Sequence, residues 1–339
     1  MGIEKEIQVP TLVEDFAGAL KLYDDGSIVR TDNHLIVNVP LSYNSTRDVV
    51  IEEELGIWVR LFLPPFKPTS SKLPVALFIH GGGFCFLSPA FVASHTFCEK
   101  WAASLGVMMV SVHYRLAPEN RLPAAYDDSM ALLQWLFSPE RPSDPWLDAY
   151  SDLSNVFVIG KSSGGNIAHH LLMRAQACDF FNNIRGAILL QPFFGGEDRT
   201  QSENVCPSDV FVNVENCDTF WRLALPVEAH GNRDHPFSNP VMYFPSQLSS
   251  VINIAPMLVV LGGKDCLRDR GAEYYEAIKL SRKCKHIDLM IFEKEEHGFH
   301  VSFKEEDNDQ NNHNSNNRRL MREAALFVSS NTHSPRSPI

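Results

Sequence analysis

No stretch of this chain approaches the roughly 18 uninterrupted apolar residues that a membrane-crossing helix needs, and Met1 to Asp15 alternates charge with isolated apolar residues. The sequence therefore indicates neither membrane spanning nor secretion. Positive charge is also short: 30 Lys and Arg stand against 41 Asp and Glu, for a net charge of −11, and no local Lys/Arg cluster reverses the balance. That excludes the electrostatic footprint of a nucleic-acid partner or of a protein held on an anionic membrane. Cysteines are few and unpaired in pattern. The seven of them (Cys85, Cys98, Cys178, Cys206, Cys217, Cys266 and Cys284) form no C-x-x-C pair and are odd in number, so reduced, buried thiols in a cytoplasmic protein are expected. Ligand motifs are missing as well. His169 and His170 are adjacent with no H-E-x-x-H, and glycines 81 to 83 fit neither G-x-G-x-x-G nor G-x-x-x-x-G-K-[ST], so no metal and no cofactor is expected.

What is present is enough apolar material for a large core, 44% of 339 residues, arranged as alternating strand-like and helix-like runs. Leu20 to Arg30 reads as a hairpin around Asp25-Gly26, and Asp48 to Glu53 and Trp58 to Leu63 as two more strands. Leu73 to His80, Val107 to His113, Val156 to Ile159, Ala187 to Leu190, Pro256 to Leu261 and His286 to Phe292 are continuous apolar strands of the kind buried on both faces. Between them lie helical patterns at Phe91 to Leu105, Pro123 to Phe137, Asn166 to Ala177 and Asp269 to Leu280, with a last helix at Arg318 to Ser329. Alternation of this kind predicts a doubly wound α/β sheet in one domain, 1–339, whose ligands lie beyond the carboxyl ends of the strands. The alternation fails at about 197–250, which together with about 1–45 is expected to form a cap. Residues 304–317, rich in Asp and Asn, are expected to be a mobile loop.

The chemistry starts at Gly160-Lys161-Ser162-Ser163-Gly164, a G-x-S-x-G where a strand meets a helix start. Such a corner exposes a serine, and the flanking glycines let the chain pass close to itself. Ser162 is the candidate nucleophile. Acyl transfer then requires a base, an acid to orient it, and N–H donors for the oxyanion. His80-Gly81-Gly82-Gly83-Phe84 follows a buried strand and lacks obstructing side chains, so Gly82 and Gly83, with Ser163, are assigned as donors. The chain order Ser, acid, His restricts the base to the C-terminal part. His297, after the strand ending at Phe292, is the choice, with His300 as the alternative. Asp265 follows a strand and a Gly pair, whereas Asp269 falls within the next helix, so Asp265 is the triad acid. Phe84, Cys85, Phe86, Phe211, Phe220 and Trp221 are expected to line an apolar cleft for small to medium, aromatic esters.

Taken together, His80 to Phe84, Tyr114-Arg115-Leu116-Ala117-Pro118-Glu119, Arg121 to Asp128, Gly160 to Asn166 and the boxes around Asp265 and His297 resemble the plant carboxylesterases, in the hormone-sensitive-lipase branch of the α/β-hydrolases. The resemblance runs from about Asp15 to the final helix. It implies an eight-stranded, mostly parallel sheet with helices on both faces and an N-terminal cap segment, hydrolysing carboxylic esters, including those of specialised metabolism, without a cofactor. It also admits an eliminating lyase or cyclase. The related gibberellin receptors lack the triad histidine, so His297 argues against a hormone-binding role. Three departures stand out: Lys161 occupies the place of the usual Asp before the nucleophile, His113 replaces an acidic or amide residue before the Tyr-Arg-Leu-Ala-Pro-Glu run, and the Asn-rich tract after His300 is longer than typical.

Overall fold

In the computed structural model, residues 10–16, 18–31, 45–66, 71–249, 251, 253–301 and 313–332 are described. Three short strands come first: β1 (Leu12–Phe16), β2 (Leu20–Tyr23) and β3 (Ile28–Arg30), an antiparallel sheet of their own. The Asp25-Gly26 turn joins β2 to β3 as expected, with Gly26 at φ 81° where a side chain is disfavoured. β1 adds a third strand to the expected hairpin.

The main sheet holds β4 (Thr46–Glu52), β5 (Ile57–Phe62), β6 (Leu73–Ile79), β7 (Met108–His113), β8 (Ser151–Lys161), β9 (Ile184–Leu190), β10 (Met257–Gly262) and β11 (Ile287–Phe292). Its order is β11-β10-β9-β8-β6-β7-β5-β4, with only the β4–β5 and β5–β7 pairs antiparallel. This is the α/β-hydrolase sheet: eight strands, mostly parallel, covered on both sides. The reason lies in the strand sequences, which are apolar at consecutive positions. In β6, Val75, Leu77 and Ile79 pack on one face while Ala76 and Phe78 pack on the other.

The described α-helices are α1 (Val92–Leu105), α2 (Ala124–Phe137), α3 (Pro145–Tyr150), α4 (Ser163–Ala175), α5 (Gln201–Asn204), α6 (Val214–Ala224), α7 (Pro240–Gln247), α8 (Arg268–Ser281) and α9 (His313–Asn331). On one face of the sheet, Phe97 and Trp101 of α1 stack at 4.6 Å and join Leu320, Ala324 and Phe327 of α9. Each such aromatic ring, fully buried, contributes about 1.5–3 kcal/mol through removal from water. The opposite face is covered by α2, α4 and α8, through residues such as Leu132, Ile167, Leu171, Tyr274 and Ile278.

Several boundaries differ from expectation. β8 begins at Ser151, five residues before the apolar run, because Leu73 and Pro74 offer pairing partners to Ser151 and Asp152 across a register shift. α7 was hidden by Pro245 inside it, which has no N–H to give to the helix and so costs this short element one of its bonds. The last helix starts at His313, so residues 313–317 of the anticipated loop at 304–317 are helical; residues 302–312 lie outside the described residues. His113, one of the departures from the family pattern, stacks on Trp58 of the neighbouring β5 with centroids 5.1 Å apart.

Candidate active site

The carboxyl ends of β6, β8, β9, β10 and β11 bring the candidate groups to one side of the sheet. β8 ends at Lys161 and α4 begins at Ser163, leaving Ser162 as the corner residue with φ 51° and ψ −120°. A non-glycine residue there costs of the order of 1–3 kcal/mol, so the surroundings must hold it. They do so by close backbone passage: a Cβ on Gly160 would strike the Gly164 carbonyl, and one on Gly164 would strike the Ile79 carbonyl. Ser162 N–H donates to Leu190 O at 2.9 Å, and Ser162 O accepts from Phe193 N at 2.9 Å, tying the corner to the end of β9.

The glycine loop after β6 crosses directly over this corner. A Cβ on Gly81 would sit 3.1 Å from both Lys161 O and the Ser162 Cβ. Gly82 has φ 103° and Gly83 φ 58°, conformations that suit glycine, and their missing side chains leave room for the Phe86 carbonyl and the Phe220 ring. Among the described residues, neither Gly82 N–H nor Gly83 N–H donates to a protein acceptor. Ser163 is the first residue of α4, where N–H groups have no intrahelical acceptor. The loop is braced from below by Tyr114, whose hydroxyl donates to His80 O at 3.1 Å and Gly81 O at 3.2 Å while its ring stacks on His80 at 4.3 Å. Burial holds the His80 imidazole neutral, down to about 3.

Asp265 follows β10 and His297 follows β11. His297 Nδ1 lies 2.8 Å from Asp265 Oδ2; a carboxylate oxygen accepts, so Nδ1 carries a hydrogen, and the neutral ring in that tautomer has its lone pair on Nε2. Leu267 N–H donates to Asp265 Oδ1 at 3.0 Å. A residue the motifs did not reveal completes this pair. Gln191, directly after β9, donates from Nε2 to Asp265 Oδ2 at 2.7 Å and to Glu296 O at 3.0 Å, and accepts from Gly298 N–H at 2.8 Å. Its only sequence signal is a polar side chain at the carboxyl end of an apolar strand. Arg30 of β3 was missed as well: it donates to Cys85 O at 2.7 Å and Ala117 O at 2.8 Å, and grips Glu119 with two bonds of 2.6 Å.

Ser162, His297, Gly82, Gly83, Lys161, Leu87, Phe211 and Phe220 line one cavity of about 150 Å³. A larger hollow of about 570 Å³ adjoins it across Phe211, Val212 and His297, and is walled by Val205, Pro207, Val210 and the charged Lys264, Arg268 and Glu296. Of the six expected cleft residues, Phe211 and Phe220 line the small cavity. Phe84, Cys85, Phe86 and Trp221 do not line either one; they are buried behind it, with Phe84 5.3 Å from Trp221 and Phe86 5.9 Å from Phe220. These four bulky or thiol side chains are drawn into the apolar layer under the loop. Burial pushes the Cys85 thiol up to about 12, as suits a packing residue.

The remaining candidates are placed elsewhere. His300 is buried against Phe299 and Phe97, with centroids 5.3 and 6.1 Å away, and lines neither cavity. Asp269, in the first turn of α8, accepts from Ser202 N–H at 2.7 Å. Burial alone lowers the Lys161 ammonium to about 8. His169 and His170 meet Tyr274 Oη at 3.1 Å and Phe237 O at 3.3 Å. Among the described residues, no three His, Cys, Asp or Glu side chains form a metal-holding group, and no helix is long and apolar enough to cross a membrane.

Comparison with known proteins agrees with the fold. The profile of the alpha/beta hydrolase fold matches residues 76–301. Carboxylesterase 20 of Arabidopsis thaliana is 37% identical over 262 residues, covering 71% of this chain and 77% of that protein. 2-Hydroxyisoflavanone dehydratase of Glycyrrhiza echinata is 34% identical over 303 residues, covering 86% and 90%. Among solved structures, the thermostable carboxylesterase EstE1 from a metagenomic library superposes with a TM-score of 0.67 at 25% identity, covering 88% of this chain and 92% of that one. A glycine loop over a strained serine corner, an Asp–His pair in the loops after β10 and β11 and these matches lead to one conclusion: the chain belongs to the α/β-hydrolase family and is related within it to the plant carboxylesterases.

Proposed function

We propose that this protein is a serine carboxylesterase of the hormone-sensitive-lipase type that hydrolyses small to medium esters, of the aromatic or specialised-metabolite class, through an acyl-enzyme. The observation that carries the reading is the 2.8 Å pairing of His297 Nδ1 with Asp265 Oδ2 while His297 and Ser162 line the same cavity. Ser162 Oγ attacks the ester carbonyl and His297 Nε2 takes its proton. Asp265 holds the imidazole in the tautomer that leaves Nε2 free and stabilises the imidazolium. The N–H groups of Gly82, Gly83 and Ser163 receive the oxyanion, and the imidazolium returns the proton to the departing alcohol. Water then attacks the acyl-Ser162 ester with His297 as base, releasing the acid and regenerating Ser162.

The small cavity takes the acyl group and the larger hollow the alcohol. Residues 197–250 supply much of both walls and, with the N-terminal strands, act as the cap of a single domain. Phe16 of β1 packs 5.0 Å from Phe220 of α6, which supports that role. Seven free cysteines suit a reducing compartment such as the cytoplasm. In the test, Ser162→Ala abolishes turnover of p-nitrophenyl acetate; turnover at the wild-type rate sinks the assignment.

A second reading, elimination instead of hydrolysis, is favoured by the 34% identity to a dehydratase. The same base and oxyanion donors suit proton abstraction beside a carbonyl. Product mass separates the two, since hydrolysis places solvent oxygen in the acid and elimination does not.

A further inference from the structure

Lys161 is a charge that ester hydrolysis does not call on. It ends β8 immediately before Ser162 and lines the small cavity with Ser162, Gly82, Gly83 and His297. Among the described residues its ammonium has no hydrogen-bond acceptor and no ion-pair partner, and burial is the one influence on its proton affinity, with no acid offsetting it. The groups that feel its charge are His80 and His300, both buried and both held neutral. His80 Nδ1 donates to Gly81 O at 2.8 Å, so its Nε2 is a bare acceptor, and neither ring nitrogen of His300 has a partner. Asp265, the acid of the site, is occupied by His297, Gln191 and Leu267 N–H.

A cation taken partly out of water without a counter-charge is destabilised. The chain has 41 acidic residues and a net charge of −11, yet none of the described acids is set against this lysine. Resting on the esterase reading above, we propose that Lys161 is a specificity-determining residue whose counter-ion arrives with the substrate: an ester whose acyl part carries a second, free carboxylate, as in a half-ester of a short dicarboxylic acid. The lysine starts one residue from the nucleophile and lines the same cavity, so an anion a few bonds from the scissile carbonyl lies within reach of its long side chain. The small cavity, at about 150 Å³, has room for a short acyl chain of that kind. An Asp at this position, the residue that the resemblance leads one to expect, repels the same carboxylate.

The test compares mono-p-nitrophenyl glutarate with p-nitrophenyl pentanoate, which has the same acyl length and no charge. The wild type is expected to favour the glutarate half-ester in kcat/KM, chiefly through KM, and Lys161→Gln to reduce the glutarate-to-pentanoate ratio by about ten- to hundredfold, the range of a charge-assisted hydrogen bond. Lys161→Arg keeps most of the preference and Lys161→Asp lowers it further. If Lys161→Gln does not fold, the wild type decides alone: a ratio above one that falls with added salt supports the assignment, and a ratio at or below one overturns it. Turnover of the pentanoate that depends on Ser162, with a ratio unmoved by Lys161→Gln, overturns this inference and leaves the esterase reading standing. Failure of the wild type to turn over either ester overturns both.

Discussion

Gln191 Nε2 and His297 Nδ1 both donate to Asp265 Oδ2, at 2.7 and 2.8 Å, so one carboxylate oxygen joins the end of β9 to the loops after β10 and β11. The amide of Gln191 has no freedom left, because its other contacts are Glu296 O and Gly298 N–H, the residues flanking His297. In the proposed mechanism it is a positioning residue that sets Asp265 and His297 relative to each other. Outer partners of this kind commonly matter by about 10- to 100-fold. Gln191→Leu is expected to lower kcat by that factor with little change in KM, and to weaken the downfield proton resonance of His297 Nδ1–H. A variant with wild-type kcat and an unchanged resonance contradicts the role.

Gly83 offers a sharper steric test. An added Cβ meets the ring of Phe220 and sits at φ 58°, so Gly83→Ala is expected to displace the donor loop and reduce kcat by about 10²–10³-fold. Trimming the obstacle should recover part of the loss in Gly83→Ala/Phe220→Ala. At Gly82 the obstacle is the Phe86 backbone carbonyl, and Gly82→Ala has no such rescue. Equal kinetics for both doubles, each paired with Phe220→Ala, argue against the contact.

Arg30 connects the N-terminal strands to the loop that holds Gly82 and Gly83. Its guanidinium uses Nε and both terminal nitrogens on Cys85 O, Ala117 O and Glu119, a planar fork that lysine cannot copy. Arg30→Lys is expected to lower the thermal midpoint and kcat together, with Arg30→Ala no worse than slightly beyond it. Restoration of both properties by lysine shows that charge alone suffices.

The buried histidines set the acid limit of stability. Desolvation holds His80 and His170 down to about 3, and pushes His169 and His300 well below the ordinary range. In the unfolded chain each titrates near about 6.5, so between these values the unfolded state binds more protons. The contribution of these histidines is therefore complete above about pH 6.5 and is lost as pH falls toward 3, each adding a slope of about 1.4 kcal/mol per pH unit within that window. Urea midpoints should be level from about pH 7 to 8 and drop steadily below about 6. A midpoint that rises on acidification to about pH 5 rules this out.

Residue order alone was enough to specify the alternating strands and helices, the chain order of Ser162, Asp265 and His297, and the glycine loop at 81 to 83. These are local properties: consecutive apolar residues mark a strand buried on both faces, and a serine between glycines marks a sharp corner. Only the tertiary structure decided which side chains share a cavity. Phe84, Cys85, Phe86 and Trp221 have the composition of cleft residues, yet packing under the loop removes them from it, while Phe211 and Phe220 remain on the wall. Gln191 and Arg30 carry no motif, because their roles depend on partners 74 and 89 positions away in the chain, at Asp265 and Glu119. Lys161 shows the same division. Its place beside Ser162 is written in the sequence, but the absence of an opposing carboxylate among the described residues is a fact of how distant strands and loops come together around it.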